Sequence, residues 1–542
     1  MPAPLLALLL PPPTLAVFGP LDWTIVAAYF TLVIVVGFLV ARKDTGEREY
    51  FLGGRSMPTW AVAISLVATM LSAATFVAVP DEAYTGNLTY LILNLGCIIA
   101  VFVVAFFFVP KLYAAGTVTI YGFLVRRFGE NARIAVSFAF ILGRLLSSGA
   151  RLFTAAIPLC LLLFGTPTPR FSQIALAIAL IGVVGTIYAT AGGVRAVVWV
   201  DTIQFAIVIG AALLTVGMLL HRIPASLPEI LQTLAHPPQG PSKLQILDTS
   251  LDPRQAYTLW TALIANTFLM TAALGCDHDL AQRFLITKSA FKGSLSMIAS
   301  QFIGIPVVAL FLLIGLLLYV FYQCPAIMGA DHLLQHPASA QGLAVYPWFL
   351  LHEMPTGLAG ISIVGFFAIA QGSLDSAMNA LAASIVADIY APLRQRLRPA
   401  APAAGKPSKI TVAAVGAGMI LLAIFCAAAF DPHDSTILTF VLGLMTFALS
   451  GMLGVFLTAL FTRRGNPASV IAALLTGATV VTLLHSRVLP LWTNFFFGVP
   501  CKLAWPWWMP LGTVAAFLVC LIGKPKDKTV MSYGVPVLMP TE

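Results

Sequence analysis

Charged residues are scarce in this chain of 542 residues. Asp, Glu, Lys and Arg make up 9% of it, whereas a soluble domain usually carries about a quarter, so a chain of water-soluble domains is excluded. Hydrophobic residues make up 59% and the mean hydropathy is +0.94. They form runs of about twenty residues, long enough to cross a ~30 Å hydrocarbon core as a helix and too uniformly apolar for barrel strands. The sequence therefore predicts an all-α polytopic membrane protein.

Cysteine is also sparse, and the cysteines do not cluster. They form no CxxC pair and no Cys/His cluster, so the sequence predicts neither a disulfide framework nor a cysteine-ligated metal site. The chain also lacks a nucleotide-binding loop and a catalytic constellation, so we expect neither an ATP-driven pump nor an enzyme. The seven cysteines are Cys97, Cys160, Cys276, Cys324, Cys426, Cys501 and Cys520.

Apolar windows, read against charged or Pro/Gly-rich breaks, predict thirteen membrane-spanning helices. No basic residue precedes the first short apolar stretch, so residues 1–21 are expected to be an extracytoplasmic tail rather than a signal peptide. Residues 524–542 are expected to be a cytoplasmic tail. The predicted spans are 22–41, 57–80, 89–110, 134–163, 172–191, 197–220, 258–276, 293–322, 356–391, 409–430, 435–460, 468–485 and 505–523.

The distribution of basic residues predicts the orientation of these spans. With the N-terminus outside and the C-terminus inside, 22 Lys and Arg residues fall in inner loops and 6 in outer loops, as the positive-inside rule requires. The remaining two, Arg144 and Arg151, lie within the fourth span. The net charge of +9 thus reflects short cytoplasmic loops, and no nucleic-acid partner is expected.

The second span is unusually rich in small and hydroxyl-bearing residues. Its middle carries Ser65, Thr69, Ser72 and Thr75. Such residues let neighbouring helices approach closely. They also suit a helix that opens at mid-membrane, where freed carbonyls and hydroxyls can bind an ion or a solute. Both interpretations remain open from the sequence.

The ninth span carries a carboxylate among further polar residues. Asp375 lies with Gln371, Ser373, Ser376 and Asn379 inside an otherwise apolar helix. A carboxylate at that depth needs a cation or a proton. A structural pairing with Lys or Arg is the alternative, but no basic residue is near in sequence, and the pattern favours a functional role.

Three more charged residues depart from the apolar pattern. Asp201, at the inner end of the sixth span, could pair with Arg195 or face water, and it gains meaning only if the fold brings it against the ninth span. Arg144 and Arg151 are seven residues apart and so share one helix face. Buried guanidiniums must meet anions, either protein carboxylates such as Asp201 or the carboxylate of a solute.

Five segments in order resemble the sodium:solute symporter family over about residues 22–460. The likeness implies a LeuT-type inverted-repeat fold, with an extra helix at 22–41, five-helix repeats at 57–220 and 258–460, and two peripheral helices within 468–523. The segments are EYFLGGRSMP (49–58), SLVATMLSAATFVAVP (65–80), GGVRAVVWVDTIQ (192–204), DLAQRFLITKS (279–289) and SLDSAMNALAASIVADIY (373–390).

The resemblance implies a main sodium site between the first and eighth core helices. Its ligands would be the backbone carbonyls of Ala68, Leu71 and Ile369 and the hydroxyl of Ser373. Gly372 stands where the family has a second hydroxyl, so one oxygen is missing and the predicted shell of ligands is thin.

A second cation site of some family members maps to Asp201, Asp375 and Ser376. With two carboxylates, it is expected to hold a second sodium ion or a shared proton, because close carboxylates disfavour double ionisation.

The substrate position implied by the family follows the break in the first core helix. It maps to Ser72, Ala74 and Thr75, to which Arg144 and Arg151 would add a clamp for an anion. Family sugar carriers have a charged or amide side chain at the last two of the three break positions. Ala74 and Thr75 therefore disfavour a hexose, and we expect a carboxylate or an amino-acid-like zwitterion.

The sequence thus predicts a sodium-coupled symporter of the plasma (inner) membrane that imports a small organic solute by alternating access. Sodium is the expected coupling ion, with no other cofactor, and the expected partners are the solute, sodium and the bilayer, with no obligate protein partner. Two alternatives remain open, a sodium-independent uniporter, which the glycine in the ion site motivates, and a transporter-like solute sensor.

Overall fold

The computed structural model describes residues 18–41, 52–164, 169–190, 193–238, 240–329, 345–397, 409–430 and 437–524. Within these ranges the chain is helical and has no β-strand, and a single isolated bridge joins Met57 and Thr287. The predicted tails lie largely outside the described residues, which begin at 18 and end at 524. An all-α fold is therefore confirmed.

Fifteen helices carry the architecture and are numbered here in chain order. They are α1 (Pro20–Ala41), α2 (Thr59–Met70), α3 (Ala73–Thr85), α4 (Leu88–Ala115), α5 (Glu130–Phe164), α6 (Phe171–Ala189), α7 (Val194–Arg222), α8 (Thr261–Cys276), α9 (His278–Leu285), α10 (Ala290–Gln323), α11 (Leu358–Ser384), α12 (Lys409–Ala429), α13 (Ile437–Phe461), α14 (Pro467–Leu484) and α15 (Trp508–Ile522).

Most of these helices are long and apolar enough to cross a bilayer. Among the described residues nine pass that test, and the bent pair α2 and α3 makes ten if it counts as one span. Three shorter apolar helices, α1, α6 and α8, complete the set. Each of the thirteen predicted windows coincides with one of these helices or with the bent pair. It stays a prediction that all thirteen cross the membrane, that the N-terminus is outside, and that ten of them form two five-helix repeats.

The second predicted span is broken in its middle. Leu71 and Ser72 have extended backbone angles, and the two halves are bent by 63°. Ser72 begins α3 as its N-cap, because its backbone N–H donates to Thr75 Oγ1 at 3.3 Å in a reciprocal capping box. The hydroxyl residues therefore stabilise an opened helix, which is one of the two interpretations of this sequence.

The helix α11 lies at the centre of the fold. It packs against α1, α2, α5 and α7, and from Ala359 to Ser384 nearly every side chain is buried. Its N-terminus is held by Asp22 of α1, whose Oδ1 accepts hydrogen bonds of 2.7 Å from the backbone N–H groups of Gly357 and Gly360. These hydrogen bonds fix the position of α11 along its axis, and with it the position of its polar residues relative to α2 and α7.

Candidate functional site

A cavity of about 190 Å³ opens at the break between α2 and α3. Four of the five predicted substrate residues line it, since α5 brings both of its arginines to the broken helix. The side chain of the fifth, Ala74, lies outside the described part of the structure. The four are Ser72, Thr75, Arg144 and Arg151.

Arg144 is paired with protein carboxylates. Its Nη1 lies 3.0 Å from Asp277 Oδ2 and its Nη2 bonds Asp279, and all three side chains are buried. The sequence-based expectation that Asp201 is such a partner was wrong for Arg144. Both partners lie where α8 ends and α9 begins, more than 130 residues further along the chain, so sequence proximity gave no indication of them.

Arg151 lies in different surroundings, although it shares the helix and the cavity with Arg144. Only 9% of the residue is exposed. Its Nη2 is 3.9 Å from the sulfur of Met445, and Nε and Nη1 have no hydrogen-bond partner among the described residues. A buried guanidinium without a counter-ion is strongly unfavourable, so the cavity presents a cationic group that can bind an anion.

A second polar cluster lies between α2, α7, α9 and α11. Asp201 Oδ2 accepts a hydrogen bond of 2.5 Å from Ser65 Oγ and lies 3.5 Å from Arg283 Nη2. The same guanidinium donates to Ser376 Oγ at 2.6 Å, and Ser376 in turn donates to Asp279. The fold therefore brings Asp201 against the ninth predicted span.

Arg195 is not the partner of Asp201, so that alternative was wrong. Its Nε donates to the carbonyl of Gly53 at 2.9 Å. The arginine that Asp201 does contact is Arg283. From the sequence it was counted among the basic residues of the inner loops and used to identify a family, but it is fully buried. The sequence did contain a signal for this cluster, because Asp277, Asp279 and Arg283 directly follow the apolar span 258–276.

Asp375 has no ion-pair partner in the described ranges. Its Oδ1 accepts a hydrogen bond of 2.6 Å from the backbone N–H of Ser376, and its buried Oδ2 accepts none. The next residue, Ser376, accepts a hydrogen bond from Arg283, whose Nη2 also lies 3.5 Å from Asp201 Oδ2. The three residues of the predicted second cation site, Asp201, Asp375 and Ser376, are thus brought together.

The predicted main sodium ligands lie on α2 and α11, two helices that pack against each other. In an unbroken helix the N–H of Ser72 would bond the carbonyl of Ala68, but it donates to Thr75 instead. A helix end leaves its last carbonyls without intrahelical partners, which applies to Ala68 and Leu71. On α11, the buried Ser373 donates to the carbonyl of Ala370 at 3.2 Å, so its hydroxyl lone pairs remain available.

The connected polar network carries more carboxylates than guanidiniums. Four buried carboxylates face two buried guanidiniums that hydrogen-bond within it. Uncompensated buried negative charge requires cations or protons. The carboxylates are Asp201, Asp277, Asp279 and Asp375, and the guanidiniums are Arg144 and Arg283.

The sequence of this chain matches the model of one protein family. The model is that of the sodium:solute symporter family, and it matches residues 50–477.

Curated relatives align over most of their length. The sodium/sialic acid symporter SiaT of Proteus mirabilis is 26% identical over 486 residues, covering 89% of this chain and 92% of that protein. The sodium/sialic acid symporter NanT of Aliivibrio fischeri is 26% identical over 500 residues, covering 89% and 90%. The sodium/iodide cotransporter of Homo sapiens is 26% identical over 472 residues, covering 84% and 68%.

A solved structure has the same fold. It is a substrate-bound, outward-open state of a Na+-coupled sialic acid symporter, with a TM-score of 0.76 at 23% identity, covering 94% of this chain and 99% of that one. The fold is therefore of the LeuT type.

Proposed function

The chain belongs to the sodium:solute symporter family, and we propose that it couples sodium entry to uptake of an organic anion whose carboxylate binds Arg151. The observation that carries the proposal is a buried guanidinium that forms no ion pair with any described residue and lines the cavity at the helix break. Arginine suits this role because its planar fork binds a carboxylate through two parallel hydrogen bonds. The site of action is the plasma (inner) membrane.

The solute class we infer is a carboxylate-bearing sugar of the sialic acid type. The relatives SiaT and NanT are named for sialic acid, which has a carboxylate on a sugar ring. The carboxylate agrees with the solute class expected from the sequence, whereas the sugar ring belongs to the class that Ala74 and Thr75 were expected to disfavour. Around Arg151 the cavity offers the polar side chains of Ser72, Thr75 and Gln301. Such groups can hydrogen-bond the hydroxyls of a polyol.

Sodium coupling is supported by the excess of buried carboxylates and by the free carbonyls at the end of α2. In transporters with broken helices, unwound carbonyls and helix C-termini coordinate the coupling ion. The end of α2 lines the cavity, so sodium bound to its carbonyls would fix the helix break beside the solute, and this gives a physical link between ion binding and solute binding.

A sodium-independent uniporter is the second candidate, and the observation that favours it is Gly372. Without a side-chain oxygen at this position, the main site has only three carbonyls and the hydroxyl of Ser373. The two candidates differ in whether solute binding strengthens with sodium.

The solute proposal is tested by thermal unfolding of the detergent-purified protein with N-acetylneuraminate in sodium chloride. Ligand that binds only the folded state raises the midpoint. We expect the wild type to shift, Arg151→Ala to lose the shift and Arg151→Lys to retain part of it, because lysine keeps the charge without the fork. Arg170→Ala, an exposed residue in a loop, is the control and should behave as the wild type. An unchanged shift in Arg151→Ala would contradict the assignment.

A further inference from the structure

We propose that the amide oxygen of Gln204 replaces the hydroxyl that Gly372 lacks, so that a coupling cation binds between α7 and α11 with Asp201, Gln204 and Asp375 as ligands. This inference rests on the sodium coupling proposed above. The family resemblance already mapped a second cation site to Asp201 and Asp375, and Gln204 is the ligand that it did not provide.

The first observation is the space beside Gly372. A Cβ atom at this position would lie 2.8 Å from Gln204 Oε1 and 3.4 Å from Asp201 Oδ1. The glycine therefore makes room for the amide, and a larger residue would have to displace it. The amide oxygen of Gln204 thus lies where the side chain of a larger residue at position 372 would be.

The second observation is the spacing on the two helices, which pack against each other. Asp201 and Gln204 are three residues apart on α7, and so share one face. Gly372 and Asp375 have the same spacing on α11. Since Gly372 faces both Asp201 and Gln204, the turn that follows it carries Asp375 along the same interface.

The third observation is a set of buried oxygens without hydrogen-bond donors. Asp201 Oδ1, Gln204 Oε1 and Asp375 Oδ2 have no partner among the described residues, and each side chain is at most 1% exposed. Leaving a buried acceptor unsatisfied is unfavourable by about 1–3 kcal/mol, and by more for a charged group. Two carboxylates and an amide are the oxygen ligands that hard cations prefer.

The fourth observation explains why the amide oxygen faces Gly372. Gln204 Nε2 donates to the hydroxyl of Tyr29 at 3.1 Å, and Tyr29 Oη donates to Gln371 Oε1 at 3.4 Å. The oxygen and nitrogen of an amide point in different directions. Because the nitrogen of Gln204 bonds Tyr29, its oxygen points toward Gly372. Tyr29 belongs to α1 and is a positioning residue, since it acts on the cation through Gln204.

The experiment measures sodium alone, without solute. Thermal unfolding of the full chain in detergent is followed as sodium chloride replaces choline chloride at constant ionic strength. Gln204→Leu keeps the approximate volume and removes the amide. We expect the half-saturating sodium concentration to rise about tenfold, which corresponds to ~1.4 kcal/mol of lost binding energy.

A second set of variants keeps the test decisive if Gln204→Leu does not fold. Gly372→Ser in a Gln204→Ala background returns a hydroxyl to the space that the amide has left, and should recover most of the lost sodium affinity. Tyr29→Phe removes only the orienting hydroxyl and should cause a smaller loss. Thr202→Val is the matched control on α7, because among the described residues its hydroxyl bonds only the carbonyl of Val198 in its own helix, at 2.8 Å.

The outcomes separate this inference from the proposed function. A sodium-specific shift in the wild type that Gln204→Leu and Tyr29→Phe leave unchanged would overturn the inference alone. No sodium-specific shift in the wild type would overturn both. Three results together would establish Gln204 as a ligand. Sodium binding would be weakened in Gln204→Leu, recovered in the double variant and unchanged in Thr202→Val.

Discussion

At the scale of single residues, α5 carries two buried arginines in opposite electrostatic surroundings. Arg144 contacts two carboxylates, whereas Arg151 contacts the sulfur of Met445 and faces the cavity. The first belongs to the framework of the fold and the second is available to a ligand. Sequence spacing alone placed them on one face and could not distinguish them.

We predict opposite effects on stability when each arginine is replaced by glutamine. Arg144→Gln leaves Asp277 and Asp279 buried without their counter-ion, and breaking such a pair lowers the free energy of unfolding by about 3–5 kcal/mol. Arg151→Gln removes a charge that forms no ion pair among the described residues, and should leave stability unchanged or raise it. Thermal unfolding in sodium-free buffer, without solute, measures both variants against the wild type. Equal destabilisation of the two would contradict the distinction.

The sequence predicted the residues of the site better than their partners. Ser72, Thr75, Arg144 and Arg151 stand out because they are polar in apolar spans, and the fold gathers all four at one cavity. Their partners depend on contacts between distant helices, as between Arg144 and Asp277, which are 133 residues apart. A lone tyrosine in an apolar helix, such as Tyr29, carries no sequence signal of its contact with Gln204.

At the scale of secondary-structure elements, α1 holds the central helix by its end. Asp22 lies at the start of α1 and is fully buried. Its carboxylate accepts hydrogen bonds from the backbone of Gly19 and from the N-terminus of α11. Carboxylates at helix N-termini satisfy free N–H groups and interact favourably with the helix dipole.

We expect Asp22→Ala to lower the free energy of unfolding by about 1–2 kcal/mol, the usual loss for a capping side chain. The loss should appear as a lower thermal midpoint in detergent. Thr24→Ala is the matched control, because this exposed hydroxyl bonds only the carbonyl of Pro20, at 2.8 Å, within the part of the chain that the structure describes. Identical midpoints for Asp22→Ala and Thr24→Ala would show that α1 does not anchor α11.

The long helices were largely predictable, because each spanning helix corresponds to a long apolar window in the sequence. The window 356–391, for instance, matches the helical run Leu358–Gln395. Short helices between spans escaped prediction, and α9 is the instructive case. Its eight residues include Asp279 and Arg283, so hydropathy assigns it to a loop, although tertiary packing buries it completely.

At the scale of the whole molecule, a buried ion network adjoins the proposed solute cavity. Arg144 belongs to both, because it lines the cavity and bonds Asp279, which Ser376 links to Arg283 and Asp201. Binding of a cation beside Asp201 and of an anion beside Arg151 would each complete the charge balance of one buried region. Coupling of cation binding to anion binding would be the functional consequence.

Sodium-coupled transport is tested by uptake of N-acetylneuraminate into proteoliposomes under an imposed inward sodium gradient. We expect accumulation above the external concentration, which collapses when an ionophore dissipates the gradient and is absent when choline replaces sodium. Equal rates in sodium and choline, with equilibration and no accumulation, would contradict sodium coupling and leave a uniporter. Binding without any flux would instead leave a solute sensor.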